Sequence, residues 1–365
     1  MAAIPPKRRY LRDPYLIAPP VGFAVFTLVQ SGVSGGLWLA IAVMALISSI
    51  VAAIHHAEVI AHRTGEPFGS LVLAVSITII EVGLIVSLML ASAGSKTELA
   101  RDAIYAAVMI LCNGVIGSCL LLGAWKHREQ NYRVEGAASA LATLVALAIL
   151  TLVLPNFTTS ASGALYSTQQ LAFVAIVSLV LYFAFVKVQS GRHRDYFLPV
   201  EAATSKSEHA PPPTVFATWL SFGSLVLCLL SVVGLAKSLS PNIEGVVTAN
   251  NLPASVVGVA IALLVLMPES GAALRAAFAN RFQTSMNLSL GSALASIGLT
   301  IPAVAVVSLW LNMPLTLGLQ PRDMVLLALT FFVCAVTLTL GRTNLVLGVV
   351  HLVLFFTFVF MTLVP

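Results

Sequence analysis

The chain of 365 residues is 59% hydrophobic and only 9% charged. Soluble domains carry roughly a quarter of charged residues, so a water-soluble enzyme or binding domain is excluded and most of the chain has lipid as its solvent and partner. The net charge of +5 does not point to nucleic acid, because Lys and Arg fall in short runs between apolar segments and form no single basic face.

Lys7, Arg8, Arg9 and Arg12 precede the first apolar segment, and no small-residue cleavage site follows it, which predicts an uncleaved membrane helix over 15–32. Apolar runs bounded by charge, Gly or Pro predict further helices over 37–61, 68–92, 103–125, 136–154 and 169–188. A polar linker, 190–213, ends in Pro211, Pro212 and Pro213. Beyond it the pattern predicts helices over 215–236, 253–275, 287–311, 323–341 and 343–364. The expected fold is an all-α polytopic membrane protein of about eleven transmembrane helices. Its parts are a basic cytoplasmic N-terminus with the first helix (1–36), a first five-helix repeat (37–189), a cytoplasmic linker (190–213) and a second five-helix repeat (214–365). Cys112, Cys119, Cys228 and Cys334 all lie in apolar segments without metal-ligand spacing and read as packing residues.

Threading eleven helices from a cytoplasmic N-terminus puts 15 Lys and Arg residues inside and only Lys96, Arg101, Lys237 and Arg322 outside. This obeys the positive-inside rule and supports the count, since one missed helix would invert every later loop. The C-terminus is expected outside, in a bacterial inner membrane. There is also a trace of internal symmetry. Glu58 lies nine residues before Pro67 and the following helix carries Glu81; Glu244 lies nine residues before Pro253 and the following helix carries Glu269. Five helices per half, an odd number, make the halves inverted in the membrane, an arrangement that puts a shared site near the midplane.

An acid at the bilayer centre costs on the order of 3 kcal/mol, so two oppose insertion by roughly 6 kcal/mol and mark a functional site ahead of a structural one. Ser70, Ala74, Thr78 and Glu81 share one face of the third helix. Ser289, Ser292, Ser296 and Thr300 share a stripe on the ninth, with Gly291 beside it to allow close backbone approach, and Asn113 and Gly117 mark a similar face on the fourth. Pro268, directly before Glu269, donates no backbone hydrogen bond, which frees carbonyl oxygens and makes Met267 to Ser270 a candidate broken point lining a cavity. Carboxylates, amides, hydroxyls and carbonyls are ligands for hard cations, and calcium suits them better than zinc. Each intramembrane acid needs a proton or a cation beside it, so two protons and one divalent ion, or monovalent ions, compete for the pair. Glu58 and His62, one turn apart near His55 and His56, form a candidate cytoplasmic rim, for which a solvated helix end is the plainer reading; His351 reads as a packed histidine.

At these residues the chain resembles the calcium/cation antiporter superfamily, in particular ChaA-type bacterial calcium/proton antiporters. The resemblance is carried by AEVIAHRTGEPFGSLVLAVSITIIEVGLI, Ala57 to Ile85, by VGVAIALLVLMPESGAALRAA, Val257 to Ala277, and by LGSALASIGLTIP, Leu290 to Pro302, which look like that superfamily's two α-repeats. It implies that Glu81 and Glu269 bind cation or proton in competition, that Asn113 and Ser292 supply polar ligands, and that the fold has eleven helices in two inverted five-helix halves; Thr78, Ser296 and Pro268, read from the helices above, are the expected support. The Gly-Asn-Ala-x-Glu motif of vacuolar members is replaced by Ile77-Thr78-Ile79-Ile80-Glu81 and Val265-Leu266-Met267-Pro268-Glu269, without either asparagine, and a strongly acidic run between the halves is absent.

The expected activity is secondary antiport of Ca2+, or of Na+ and K+, against protons by alternating access, with no cofactor. A Na+/K+-selective proton antiporter without calcium transport is the near alternative, and a passive cation channel or an intramembrane enzyme the distant ones. An enzyme is disfavoured because no aspartate lies in the interior of a predicted helix, no aspartate-rich metal motif occurs, and the Ser-Gly-rich stretch 31–36 falls in a loop.

Overall fold

The structure, a computed structural model, describes residues 14–32, 35–65, 68–91, 97–198 and 213–365. Lys7, Arg8, Arg9, Arg12, Pro67, Lys96 and residues 199–212 of the linker, with Glu201, Lys206, Glu208, Pro211 and Pro212, lie outside the described residues, as do the side chains of Ser70 and Glu244.

In hydrocarbon every backbone N–H and C=O needs a partner within the protein, and helices meet that demand segment by segment. The chain accordingly forms α1 (Ala18–Gln30), α2 (Gly36–Thr64), α3 (Phe68–Ala91), α4 (Leu99–His127), α5 (Val134–Phe157), α6 (Thr168–Ser190), α7 (Val215–Ala249), α8 (Ser255–Phe278), α9 (Phe282–Leu311), α10 (Pro321–Leu338) and α11 (Leu345–Leu363). Among the described residues pairing of extended backbone is limited to two isolated bridges, Asn131 with Arg342 and Leu165 with Thr316. Among the described residues ten helices are long and apolar enough to cross a membrane. The chain is thus the multi-pass all-α protein expected.

Several helices differ in length from expectation, and α1 and α7 do so in ways that bear on crossing the membrane. α1 has 13 residues, a rise of roughly 20 Å against a hydrocarbon core of roughly 30 Å. α7 continues past residue 236 to Ala249, through exposed Lys237 and through Pro241. A single exposed lysine does not end a helix, and a proline withholds only one hydrogen bond. At 35 residues, roughly 50 Å long, α7 exceeds the hydrocarbon core.

The helices sort into two compact units, Met1–Lys96 with His209–Asn250 and Thr97–Glu208 with Asn251–Pro365. In the first, α2 packs on α1, α3 and α7, and α7 on α1 and α3. Buried His56 of α2 has Nδ1 3.3 Å from Ser221 Oγ of α7 and Nε2 3.3 Å from the carbonyl oxygen of Tyr15. In the second unit α4 packs on α8, α9 and α11, and α9 also on α5, α6 and α8. α4 and α9 are the most enclosed of the ten spans, with 78% and 67% of their apolar windows buried.

The loops of the second unit meet at its two ends. At one end Gln130 donates to Asn280 Oδ1 (2.9 Å) and its backbone N–H to Thr343 Oγ1 (2.8 Å), Arg342 pairs with Glu129 (3.6 Å), and Asn287 donates to the carbonyl of Phe197 (2.6 Å). The loops after α4, α6, α8 and α10 are therefore together. At the other end Thr97 and Thr316 hydroxyls are 2.9 Å apart and Leu165 bridges Thr316, joining the loops before α4, after α5 and after α9. The first residues of the polar linker form a 3-10 turn, Arg194–Phe197, whose buried Phe197 packs edge-on against Phe185 at 5.7 Å.

Candidate functional site

Glu81 is the fourteenth residue of α3, a helix of 24 residues, and is 3% exposed. It stands on the buried side of the helix with Ile77, Thr78, Ile80, Leu84 and Ile85, while Val75 and Ile79 face outward. Thr78 is buried and donates its hydroxyl to the carbonyl of Ala74 at 2.9 Å, which leaves the oxygen able to accept.

Glu269 is the fifteenth residue of α8, also 24 residues long, and is half-buried. The inward side of α8 carries Ala262, Val265 and Leu266; Leu263 and Met267 face outward. Pro268 does not break α8, which runs unbroken from Ser255 to Phe278. The expected broken point is therefore a continuous helix, because losing one N–H leaves the neighbouring bonds of the ladder intact. The carbonyl that Pro268 fails to satisfy is that of Leu264, one turn before it. Ser270 donates to the carbonyl of Leu266 at 2.7 Å. The C-terminal end of α8 is tied down by α4 and the loop after it. Lys126 Nζ and His127 Nε2 each lie 3.0 Å from the carbonyl of Phe278, and Gln130 Nε2 donates to that of Ala277 at 3.0 Å. The Lys126 ammonium at this end also interacts favourably with the helix dipole.

Asn113 lies in a π-helical segment of α4, Ile110–Val115. Such segments recur at functional sites, and nothing in the sequence pattern announced this one. The amide is wholly buried. Nδ2 donates to Thr330 Oγ1 of α10 at 2.8 Å, Oδ1 is 3.1 Å from His351 Nδ1 of α11, and His351 Nε2 is 3.0 Å from Thr337 Oγ1. His351 is thus the packed histidine expected, bonded on both sides. Thr330 and Thr337 were passed over in the sequence, although their spacing of seven puts them on one face of α10.

On α9, Ser289, Ser296 and Thr300 are buried and Ser292 half-buried. Ser289 donates to the carbonyl of Ser285 at 3.0 Å. The glycine that allows close approach on α9 is not Gly291, whose added Cβ would meet nothing within 4 Å, but Gly298, whose Cβ would stand 2.7 Å from Tyr182 Cβ of α6. Glu58 and His62 are exposed near the end of α2.

The sequence also missed a charged cluster in the second unit. Arg101, its side chain 6% exposed, bonds Glu98 Oε2 and Asp102 Oδ1 at 2.8 Å each and the carbonyl of Gly318 at 3.2 Å. Asp102 and Asp323 occupy the first turns of α4 and α10, so two aspartates do lie within helices, where they complement the helix dipole. A recess of about 280 Å³ between α5 and α6, lined by Leu150, Leu154, Tyr166, Phe173, Val174 and Val177 among others, contains none of the candidate residues. Among the described residues no three His, Cys, Asp or Glu side chains gather as a metal site. A cation held at either glutamate would be coordinated by carboxylate together with hydroxyl, amide or carbonyl oxygen, a set suited to hard ions.

Known proteins bear the same pattern over nearly the whole chain. The ionic transporter y4hA of Sinorhizobium fredii, described as putative, is 48% identical over 321 residues, 88% of this chain and 87% of that protein. The sodium-potassium/proton antiporter ChaA of Escherichia coli is 34% identical over 350 residues, 94% of each chain. Native YfkE superposes with a TM-score of 0.72 at 16% identity, covering 96% of this chain and all of that one, and a second structure of YfkE, described as a Ca2+/H+ antiporter, does so with a TM-score of 0.71. The fold is therefore that of the calcium/cation antiporters, and the family and these relatives are transporters, not enzymes. The family described as sodium/calcium exchanger protein matches residues 34–191 and 220–364, and the chain belongs to it.

Proposed function

We propose that the chain is a secondary active antiporter that exports Ca2+, Na+ or K+ in exchange for protons by alternating access, with Glu81 and Glu269 taking up cation or proton in competition. The observation that carries this reading is the placement of the two acids. Each sits just past the midpoint of a 24-residue membrane helix, Glu81 buried and Glu269 half-buried, where a permanently bare carboxylate is too costly to keep. A site neutralised either by protons or by a cation exchanges one for the other through charge balance alone. Asn113 and Ser292, with Thr78, Ser296 and Pro268 in support, complete the ligand set, and Glu58 and His62 form the cytoplasmic rim through which the cation enters.

The cycle begins with protonation of both glutamates from the outside. The helices carrying them then change the side to which they open, and cytoplasmic cation displaces the protons before the return. The proton gradient drives export. The chain lies in the inner membrane with its N-terminus inside. A Na+/K+-selective exchanger without calcium transport is the second reading, favoured by the 34% identity to a sodium-potassium/proton antiporter and by the absence of both motif asparagines before Glu81 and Glu269.

The test is cation-dependent proton flux in everted membrane vesicles, with calcium, sodium and potassium added separately, for wild type and for Glu81→Gln and Glu269→Gln. Each cation that collapses the proton gradient in wild type and in neither variant is a transported ion. Variants that respond like wild type would make the two acids structural, and cation flux without proton movement would make the protein a channel.

A further inference from the structure

The bonded row Thr337, His351, Asn113, Thr330 places four polar side chains at 0% exposure in the second unit. Polar groups in so dry a place are tolerated only when their bonds are made, and here the bonds have a direction. Asn113 Nδ2 donates to Thr330 Oγ1, so Oδ1 is the atom that faces His351 Nδ1 at 3.1 Å. A carbonyl oxygen only accepts, so with this amide orientation Nδ1 carries the proton, and Nε2 of the neutral ring accepts the Thr337 hydroxyl at 3.0 Å. The imidazole reaches Asn113 because the two helices almost touch. A Cβ on Gly117, one turn beyond Asn113, would stand 2.8 Å from His351 Cβ, and one on Gly348, one turn before His351, would stand 2.7 Å from the backbone nitrogen of Leu121. The second N–H of the amide faces Met109 Sδ at 3.8 Å, so Asn113 keeps one oxygen lone pair uncommitted, and the bond to His351 decides where it points.

We propose that His351 is a positioning residue for ion exchange: acting through Asn113, it fixes the amide and the π segment of α4 that carries it, so that the last helix sets the cation affinity of the site. This rests on the antiport reading and on Asn113 belonging to the cation's ligand set.

The test separates the two bonds of the ring. In His351→Asn an amide N–H takes the place of Nδ1–H and keeps the donor to Asn113; in His351→Gln the longer side chain reaches Thr337 and gives up Asn113. Proton flux in everted vesicles is titrated with sodium, potassium and calcium, and rates are normalised to membrane content by immunoblot. His351→Asn is expected to stay within about twofold of the wild-type KM. His351→Gln is expected to raise KM about tenfold with a smaller change in maximal flux, the size of one lost buried hydrogen bond. Equal KM values for the two variants, or a lower maximal flux at unchanged KM, overturn the proposal, because the ring then only fills space. Wild type without cation-driven flux overturns the antiport reading and this inference with it, whereas an active wild type beside an unaffected His351→Gln overturns this inference alone.

Discussion

A Cβ placed on Gly348 would stand 3.1 Å from the carbonyl oxygen of Gly117 and 2.7 Å from the backbone nitrogen of Leu121, so α11 and α4 cross backbone to backbone. Small residues are what let membrane helices approach in this way, since between helices in lipid the hydrophobic effect gives little attraction and dispersion contacts must be close. Gly348→Val forces the crossing apart. The expected cost is about 1–3 kcal/mol, as for other overpacked interiors. All four cysteines are free and buried, so a thiol-reactive dye reports thermal unfolding in detergent. Gly348→Val should lower the transition temperature clearly and Gly291→Ala, which meets nothing within 4 Å, should not. A wild-type transition for Gly348→Val would remove the crossing from the list of contacts that matter.

Tyr132, in the loop between α4 and α5, joins that loop to the end of α10 by donating its hydroxyl to the carbonyl of Thr337 at 2.8 Å. It is 4% exposed, and burial pushes the phenol from 10.0 up to about 12. With the folded value above the unfolded one, the stabilisation is fully present below pH 10 and is lost as pH rises through about 12. The unfolding temperature of wild type should therefore fall between pH 10 and 12. Tyr166, also outside the spans and also pushed up to about 12 by burial, adds to the same fall. Tyr132→Phe should lower stability by roughly 1 kcal/mol at neutral pH and make the alkaline fall shallower. An equally steep fall in Tyr132→Phe would mean that Tyr132 is not among the groups responsible.

Helix order and number were legible because hydrocarbon admits so few structures: an apolar run of sufficient length, bounded by charge or Pro, has little choice but to be a helix. Glu81 and Glu269 were legible for the same reason, since an acid in such a run has no cheap explanation. What stayed hidden depends on side chains that look ordinary in isolation. Asn113 stands out as an amide, but Thr330 and His351 are its partners, and Thr337 that of His351, only with α10 and α11 laid against α4, and the π segment around it has no compositional mark. Gly291 and Gly298 are indistinguishable by type and lie one heptad apart; only the neighbour, Tyr182, decides which makes the close contact. The end of α7 was placed too early because Lys237 looked like a boundary, although its stem and charge are accommodated on an exposed helix face.

Pro268 sets stability against function within a single residue. In the interior of α8 it withholds a hydrogen bond from the carbonyl of Leu264, and a proline at such a position costs about 3 kcal/mol relative to alanine. Pro268→Ala restores the bond and should raise the unfolding temperature. If the freed carbonyl belongs to the cation's ligands beside Glu269, the same change should raise the KM for the transported cation several-fold while maximal flux is kept. Higher stability with unchanged KM would leave Pro268 a helix-shaping residue without a part in binding.

Orientation can be settled at the C-terminus. Lys126, Arg128, Arg133, Lys187, Arg192, Arg194, Arg275, Arg281 and Arg342 all belong to the end of the second unit where the loops after α4, α6, α8 and α10 meet, and Arg101 and Arg322 to the opposite end. Among the described residues of the second unit, the nine-to-two bias predicts by the positive-inside rule that the first end is cytoplasmic, and that α11, which starts there, finishes outside. The number of crossings before it is a separate matter. α1, with 13 residues, is shorter than the roughly 20 residues a straight span needs, so an N-terminus inside and a C-terminus outside require α1 to cross with the help of its flanking residues or a locally thinner bilayer. A C-terminal alkaline phosphatase fusion should be active and a C-terminal green fluorescent protein fusion dark. An N-terminal tag should be reachable by protease in everted vesicles and protected in intact spheroplasts. A phosphatase-active C-terminus together with an N-terminus accessible in spheroplasts would mean that ten helices cross and α1 does not. An inactive phosphatase would overturn the assignment of the basic end itself.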